Sequence, residues 1–210
     1  MTKIYRVLLA SLFVMCISLS TGIIKTQANE FNDGAQNFIK SLATDAQASL
    51  LAGDLPPPEY KRRFRKLMLD SFDLDRIGKW VVGRYWRRIP LADRVEYQKL
   101  FKKFIIATYT KRFKGYTKTK LQINGTTSRK GIALVGTQIN RANAKPIHIV
   151  WQVDKRSGRY QIINIVVEGI SWIETQRSEF VSIIRNNGGK VTGLIAALNE
   201  KTLVLATSHN

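Results

Sequence analysis

The chain has 210 residues, with 34 Lys and Arg against 15 Asp and Glu, for a formal charge of +19. Its 44% hydrophobic and 10% aromatic content excludes a disordered chain, which lacks the apolar surface to offset its ordering entropy, and no collagen-like, disulfide-rich or coiled-coil class fits the composition. This length predicts one domain with a substantial core, and the charge points to an anionic partner, either nucleic acid or a phospholipid surface.

The first residues narrow that choice. Lys3 and Arg6 precede an apolar run from Val7 to Ser20, and Thr26-Gln27-Ala28 places small residues around a cleavage point after Ala28. This is the anatomy of a secretory signal peptide. An uncleaved anchor is the rival reading: Val7–Ile24 approaches the length of a bilayer span, but Ser11, Ser18, Ser20 and Thr21 interrupt it. Bulky Met15 before Cys16 disfavours a lipoprotein. Cleavage removes Lys3, Arg6 and Lys25, leaving +16, and removes Cys16, the only cysteine. The mature chain then has neither a disulfide nor a Cys nucleophile nor a Cys-ligated metal. Export also sets nucleic acid aside, so Lys61-Arg62-Arg63-Phe64-Arg65-Lys66 reads as a solvated helix face.

Phe38, Ile39, Leu42, Ala46 and Leu50 recur at helical spacing between Phe31 and Leu51, and Gly53 ends the run. Leu55-Pro56-Pro57-Pro58 is a stiff connector into a second helix, Glu59–Leu69, apolar at Phe64, Leu67 and Met68. Asp73 caps a third, Leu74–Val82, that buries Ile77, Trp80 and Val81 before Gly83. The longest helix, Leu91–Lys114, carries Tyr97, Leu100, Phe101, Phe104, Ile105, Thr108 and Tyr109 on a wide stripe. Four strand-like segments follow, Lys118–Gly125, Ile132–Asn140, Pro146–Asp154 and Arg159–Glu168, joined by short links that imply an antiparallel meander. The fourth is apolar on both faces, Ile162 and Val166 on one and Ile163, Ile165 and Val167 on the other, which predicts cover on both sides. Helices at Glu174–Asn186 and Val191 to about Lys201 close the chain. The expected organisation is a leader (1–28), one folded domain (29–202) and an uninterpreted tail (203–210), with an α+β architecture of helices packed on a curved four-stranded antiparallel sheet.

No catalytic constellation stands out. His148 lies on a strand pointing away from Ile149, and His209 lies in the tail, so neither has a metal-ligating companion. Ser171 lacks the strand-to-helix elbow of a nucleophilic serine, and Gly188-Gly189-Lys190 lacks phosphate-loop spacing. Glu168 and Glu174 have Arg177 within reach for an ion pair at a helix start.

Ser71-Phe72-Asp73, then Gly83-Arg84-Tyr85-Trp86-Arg87 and the Phe101–Tyr109 helix, resemble the N-terminal half of the MlaC family of phospholipid-binding transport auxiliary proteins. The stretch from Tyr160 to Val166 followed by Val167-Glu168-Gly169-Ile170-Ser171 resembles the family's strand and Val-Glu-Gly-Val-Ser motif. Arg177, Phe180 and Ile183-Ile184 ahead of Gly188-Gly189 resemble its next helix, and the likeness spans roughly 35–200. Asn164, where the family commonly has Asp, and Trp172, in place of an aliphatic, depart from the pattern.

The resemblance implies a monomeric periplasmic carrier without catalytic activity or cofactor, holding a phospholipid as cargo by its acyl chains. Its implied partners are an inner-membrane MCE-domain ABC transporter, an outer-membrane lipoprotein complex and, transiently, anionic membrane surfaces. A carrier needs an apolar cavity between helices and sheet. The expected lining is Val81, Phe104, Tyr109, Val135, Thr137, Ile149, Trp151, Ile162 and Val166, each of which also reads as ordinary core. Arg84, Arg87 and Arg88 flank Trp86 and are the expected contacts for a lipid headgroup, a membrane or an acidic partner. Two alternatives stay open: a hopanoid-associated relative, and a basic interaction protein that docks on membranes or envelope polymers without enclosing a ligand.

Overall fold

The computed structural model describes residues 20–50, 55–114, 121–141 and 144–207. Most of the apolar leader, Cys16, the start of the first expected strand at Lys118, the Asn143 link and His209 lie outside the described residues. The first helix, α1, runs over Ser20–Leu50, so the expected cleavage point after Ala28 falls inside it. Among the described residues no helix is long and apolar enough to cross a membrane.

Capping chemistry sets the next boundaries. α2 (Pro57–Ser71) begins on its proline pair, where a missing N–H costs nothing. α3 (Leu74–Val82) starts at Asp73, whose side chain accepts a hydrogen bond from the Arg76 N–H at 3.0 Å. It ends at Gly83, where φ is +55°. A six-residue 3-10 helix (Gly83–Arg88) leads to α4 (Leu91–Lys114). Trp80, expected in the core, lies at the surface with the Arg76 guanidinium 4.8 Å above its ring. Val82 is buried on α3 beside Ile77 and Val81.

The sheet is an antiparallel meander of five strands in chain order: β1 (Leu121–Arg129), β2 (Ile132–Arg141), β3 (Ala144–Arg156), β4 (Arg159–Val167) and β5 (Ile170–Ser171). Four were expected. The fifth is a two-residue return made possible at Glu168-Gly169, whose φ values of 49° and 80° are the left-handed pair of a tight hairpin turn. α5 (Trp172–Asn186) and α6 (Val191–Thr207) follow, so the expected tail belongs to α6 as far as Thr207.

Register decides which side chains meet the helices. Thr137 pairs with Ile149, Ile139 with Ile147 and Trp151 with Ile165, so all of these share the helix-facing side. On the outer side Gln138 bonds Gln122, Asn124 and Asn140 in an amide ladder that water can also reach. The β3–β4 register shifts between Gln152, opposite Asn164, and Val153, opposite Ile162, which leaves Ile163 as an extra residue. That bulge corrects the expected faces of β4: Ile162 and Ile165 fall on one side, and Val166 on the other. The expected cover on both sides holds at Ile162, Ile163 and Asn164, which are buried, and is lost by Val167, which is exposed.

The main core lies where α3, α4, α5 and α6 meet, around Tyr97, Phe101, Phe180, Ile184, Leu194 and Leu198. Phe101 and Phe180 cross edge to face at 6.1 Å, and the Tyr97 hydroxyl donates to the Gly78 carbonyl at 2.8 Å, so its burial leaves no orphaned donor. α1 is seated on the sheet by Tyr160 of β4. Its ring stacks on Phe31 at 5.9 Å and on Phe38 at 6.3 Å, and its hydroxyl donates to the Phe31 carbonyl. Gly34 permits this approach, since a Cβ there would lie 2.1 Å from the Tyr160 oxygen.

Candidate functional site

A cavity of about 670 Å³ separates α1, α2 and the last turns of α4 from the sheet. α1 contributes Ile39, Leu42, Ala43, Ala46 and Gln47, and α2 contributes Phe64, Leu67 and Met68, with Phe72 just beyond. Tyr109, Arg112 and Phe113 come from α4, and Trp172 from the start of α5. The floor is Leu121, Ile139, Ile147, Ile149, Trp151, Ile165 and Val167. Among the described residues, the wall is apolar apart from Gln47, Arg112, the Tyr109 hydroxyl and the indole nitrogens.

The polar groups in the wall are held in specific ways. The Trp151 indole donates to the Thr137 hydroxyl at 2.9 Å, and that hydroxyl donates to the Ile149 carbonyl at 3.3 Å. Thr137 itself is 1% exposed. The Trp172 indole donates to the Tyr109 hydroxyl, and the two rings meet edge to face at 5.7 Å. Burial pushes the Tyr109 phenol above its usual value, against the opposing effects of Trp172 and Arg112, so it is neutral at ordinary pH. The Arg112 guanidinium sits 5.4 Å from the Tyr109 ring centre.

Of the nine expected lining residues, Tyr109, Ile149 and Trp151 stand in this wall and six do not. Phe104 is five residues before Tyr109, about 140° round the helix axis, and packs on Phe180 at 6.1 Å instead. Val81, Val135 and Ile162 are fully buried in the main core. Thr137 lies behind Trp151 rather than in the wall, and Val166 is turned to the other side of the sheet by the bulge at Ile163. Arg84, Arg87 and Arg88 are exposed on the 3-10 helix. That helix precedes α4, so about 30 Å of helix separates Arg88 from Tyr109, and these arginines do not border the cavity. They belong to a cationic, aromatic surface. Lys79 and Arg94 lie over Trp86 at 5.6 and 5.2 Å, and Arg84 lies over Tyr85 at 5.3 Å. Hydrogen bonding by Arg84, ahead of that by Arg185, lowers the Tyr85 phenol.

The lining residues that sequence reasoning missed were mostly visible to it as helix faces. Leu42, Ala46, Phe64, Leu67 and Met68 are the apolar positions of α1 and α2, but periodicity does not distinguish a face against a cavity from a face against core. Arg112 and Gln47 carried no sequence signal. Trp172 did, as a bulky residue where the resemblance expects an aliphatic one.

The sequence profile of the MlaC protein family matches residues 36–200. This chain belongs to the MlaC family. The intermembrane phospholipid transport system binding protein MlaC of Haemophilus influenzae is 22% identical over 158 residues, 73% of this chain and 74% of that protein. The fold is similar to that of a phospholipid-binding protein from Ralstonia solanacearum, solved in complex with a phospholipid. The TM-score is 0.70 at 21% identity, covering 82% of this chain and 98% of that one.

The motif through which the sequence resembles the MlaC family builds the joint between sheet and α5. Glu168 turns the chain and accepts a hydrogen bond from the His148 N–H across the β3–β4 pair. Ser171 caps α5, accepting from the Glu174 N–H at 3.3 Å. Asn164 ties the two together, donating to the Ser171 hydroxyl at 3.0 Å and accepting from the Ile173 N–H at 3.2 Å. The expected pairing of Arg177 with Glu168 or Glu174 is not formed; Arg177 donates to the Trp80 carbonyl at 2.9 Å and so fixes α5 to α3. Together these contacts set Trp172 at the cavity. Among the described residues no cluster of three His, Cys, Asp or Glu side chains could hold a metal ion.

Proposed function

We propose that this chain is a periplasmic phospholipid carrier, with the acyl chains of its cargo held in the cavity between α1, α2, α4 and the sheet. The observation that carries the reading is the cavity itself, in a member of the MlaC family. Protein interiors pack as densely as organic crystals. A cavity of about 670 Å³ that opens to solvent leaves its apolar wall facing water, at a cost of roughly 25 cal/mol for each Å² of apolar surface. Covering that wall with hydrocarbon removes the cost, so such a space suits an apolar occupant. Each methylene moved into it from water contributes about 0.8 kcal/mol, so about a dozen contribute on the order of 10 kcal/mol. That is enough to keep a lipid bound between membranes.

The wider reading follows from the family and the leader. A cleaved signal peptide (1–28) exports the chain, and the carrier exchanges lipid between an outer-membrane lipoprotein complex and an inner-membrane MCE-domain ABC transporter, contributing to outer-membrane lipid asymmetry. It needs no cofactor or catalytic group, since moving a lipid breaks no bond. The exposed face of Arg84, Arg87 and Arg88 serves the encounter with an acidic partner or an anionic membrane. The alternative of a basic interaction protein without enclosed ligand leaves the cavity without a purpose.

Native mass spectrometry of the exported protein tests the carrier directly. The expected mass is that of the chain lacking residues 1–28 with about one phospholipid bound, and Ala43→Trp, which places an indole in the cavity, loses that lipid while remaining folded. A hopanoid-sized adduct would redirect the cargo assignment. A lipid-free mass for the unaltered protein, or a folded Ala43→Trp variant with its lipid intact, refutes it.

A further inference from the structure

Among the described residues Arg112 is the one charged side chain in the cavity wall, and its setting differs from that of the ion-paired cations. Elsewhere, Arg62 and Arg63 share Glu59, Arg76 holds Asp154, and Lys102 and Lys201 hold Asp75 and Glu179. Arg112 has no carboxylate within ion-pair distance and donates no hydrogen bond among the described residues; its recorded neighbour is the face of Tyr109. It is exposed, so its head stays in water while its stem borders hydrocarbon. Gln47 of α1 is also exposed and lines the same cavity. The Tyr109 hydroxyl already accepts from Trp172, which leaves its own proton to donate.

We propose that Arg112, with Tyr109 beside it and Gln47 in the same cavity wall, is the anchor for the phosphodiester of the bound lipid, making the cavity selective for phosphate-bearing lipids over neutral lipids with the same acyl chains. This rests on the carrier reading and sharpens it. A planar guanidinium offers paired N–H donors that match two phosphate oxygens, and a charge-assisted pair at the edge of a low-dielectric cavity is stronger than one in open water. The aromatic face beneath holds the guanidinium in place, so less side-chain freedom is lost on binding. Ile149 and Trp151, which would contact an acyl chain, line the same cavity as Arg112.

The test is equilibrium uptake by delipidated full-length exported protein, comparing phosphatidylglycerol with a diacylglycerol of identical chains. Unaltered protein is expected to prefer phosphatidylglycerol by about tenfold, the value of one charge-assisted contact. Arg112→Gln loses that preference yet binds diacylglycerol as before, which shows that it is folded and its cavity intact. Arg112→Lys, a point charge without the fork, keeps part of the preference, and Lys190→Gln, a charge-matched change between α5 and α6, keeps all of it. Inorganic phosphate at millimolar concentration is expected neither to raise the melting temperature nor to displace the lipid. An unchanged preference in Arg112→Gln overturns the assignment while leaving the carrier intact, as does stabilisation by inorganic phosphate alone, which would make this a free-phosphate site. If the unaltered protein takes up neither lipid, the carrier reading fails first and this inference with it.

Discussion

Thr137 illustrates a residue whose importance lies one layer behind the cavity wall. Its hydroxyl accepts the Trp151 indole N–H at 2.9 Å and donates to the Ile149 carbonyl at 3.3 Å. Thr137→Val keeps the side chain's shape but removes the oxygen, so no void is made and the cost is that of an indole N–H left without its acceptor. Such a group costs about 1–3 kcal/mol; Trp151 is only half-buried, which favours the lower half of that range, about 1–2 kcal/mol. For a chain of this size, the melting temperature should fall by about 2–8 °C. The decisive assay is a double-mutant cycle by urea denaturation with Thr137→Val, Trp151→Phe and the pair. In the Trp151→Phe background there is no N–H to strand, so Thr137→Val should cost only its long bond to the Ile149 carbonyl, giving a coupling of about 1–2 kcal/mol. An equal cost in both backgrounds would show that Thr137 does not act through Trp151.

Two further predictions concern the charges that brace the helices. Arg76 on α3 reaches Asp154 on β3 at 2.6 Å, with both side chains largely shielded from solvent. Burial pushes the Asp154 carboxyl up, but the Arg76 hydrogen bond and charge outweigh it and leave it lowered. Asp154→Asn should cost about 2 kcal/mol in chemical denaturation, and no loss would mean that the pair is not a brace. At the start of α2, hydrogen bonds from Arg62 and Arg63 hold Glu59 down from 4.5 to about 2. A depressed carboxylate stabilises the fold above its unfolded value and loses that contribution as pH falls through the folded one. The difference in melting temperature between unaltered protein and Glu59→Gln should therefore be full above about pH 4.5 and vanish by about pH 2. Parallel curves across that window would rule the linkage out.

What was legible in the sequence and what was not divides along a physical line. Local chemistry was readable: Asp73 and Gly83 bound α3, and α4 spans Leu91–Lys114 as its stripe predicts. The two-residue turns at Lys130-Gly131 and Ser157-Gly158 place β1 to β4 in an antiparallel meander. What failed were the inferences that needed a third dimension. Alternation along β4 assumes an uninterrupted pleat, and the one extra residue at Ile163 reverses Val166. The α4 stripe is wide enough to touch two environments, and its residues divide between them by angle, with Phe104 toward α5 and Tyr109 toward the cavity. A hydrophobic pattern records that a side chain avoids water. It does not record whether protein or ligand replaces the water.

That distinction also separates the two positive features of the molecule. Arg87 and Arg88 sit beside Trp86 on the 3-10 helix, and about 30 Å of helix lies between them and the cavity end of α4. Screening in physiological salt has a length of about 8 Å, so charge at that distance adds almost nothing to the hold on a phosphate beside Arg112. What it does alter is the approach of an oppositely charged surface, where many charges act together before contact. On the proposed reading the excess of basic residues serves two separable purposes. A diffuse one, spread over the surface around Trp86, sets how often the protein meets its partners and weakens with salt. A local one, confined to Arg112 above the Tyr109 ring, sets which lipid stays bound and depends on the shape of the guanidinium. Charge reversal at the first should change rates, and substitution at the second should change selectivity, because neither lies within the electrostatic reach of the other.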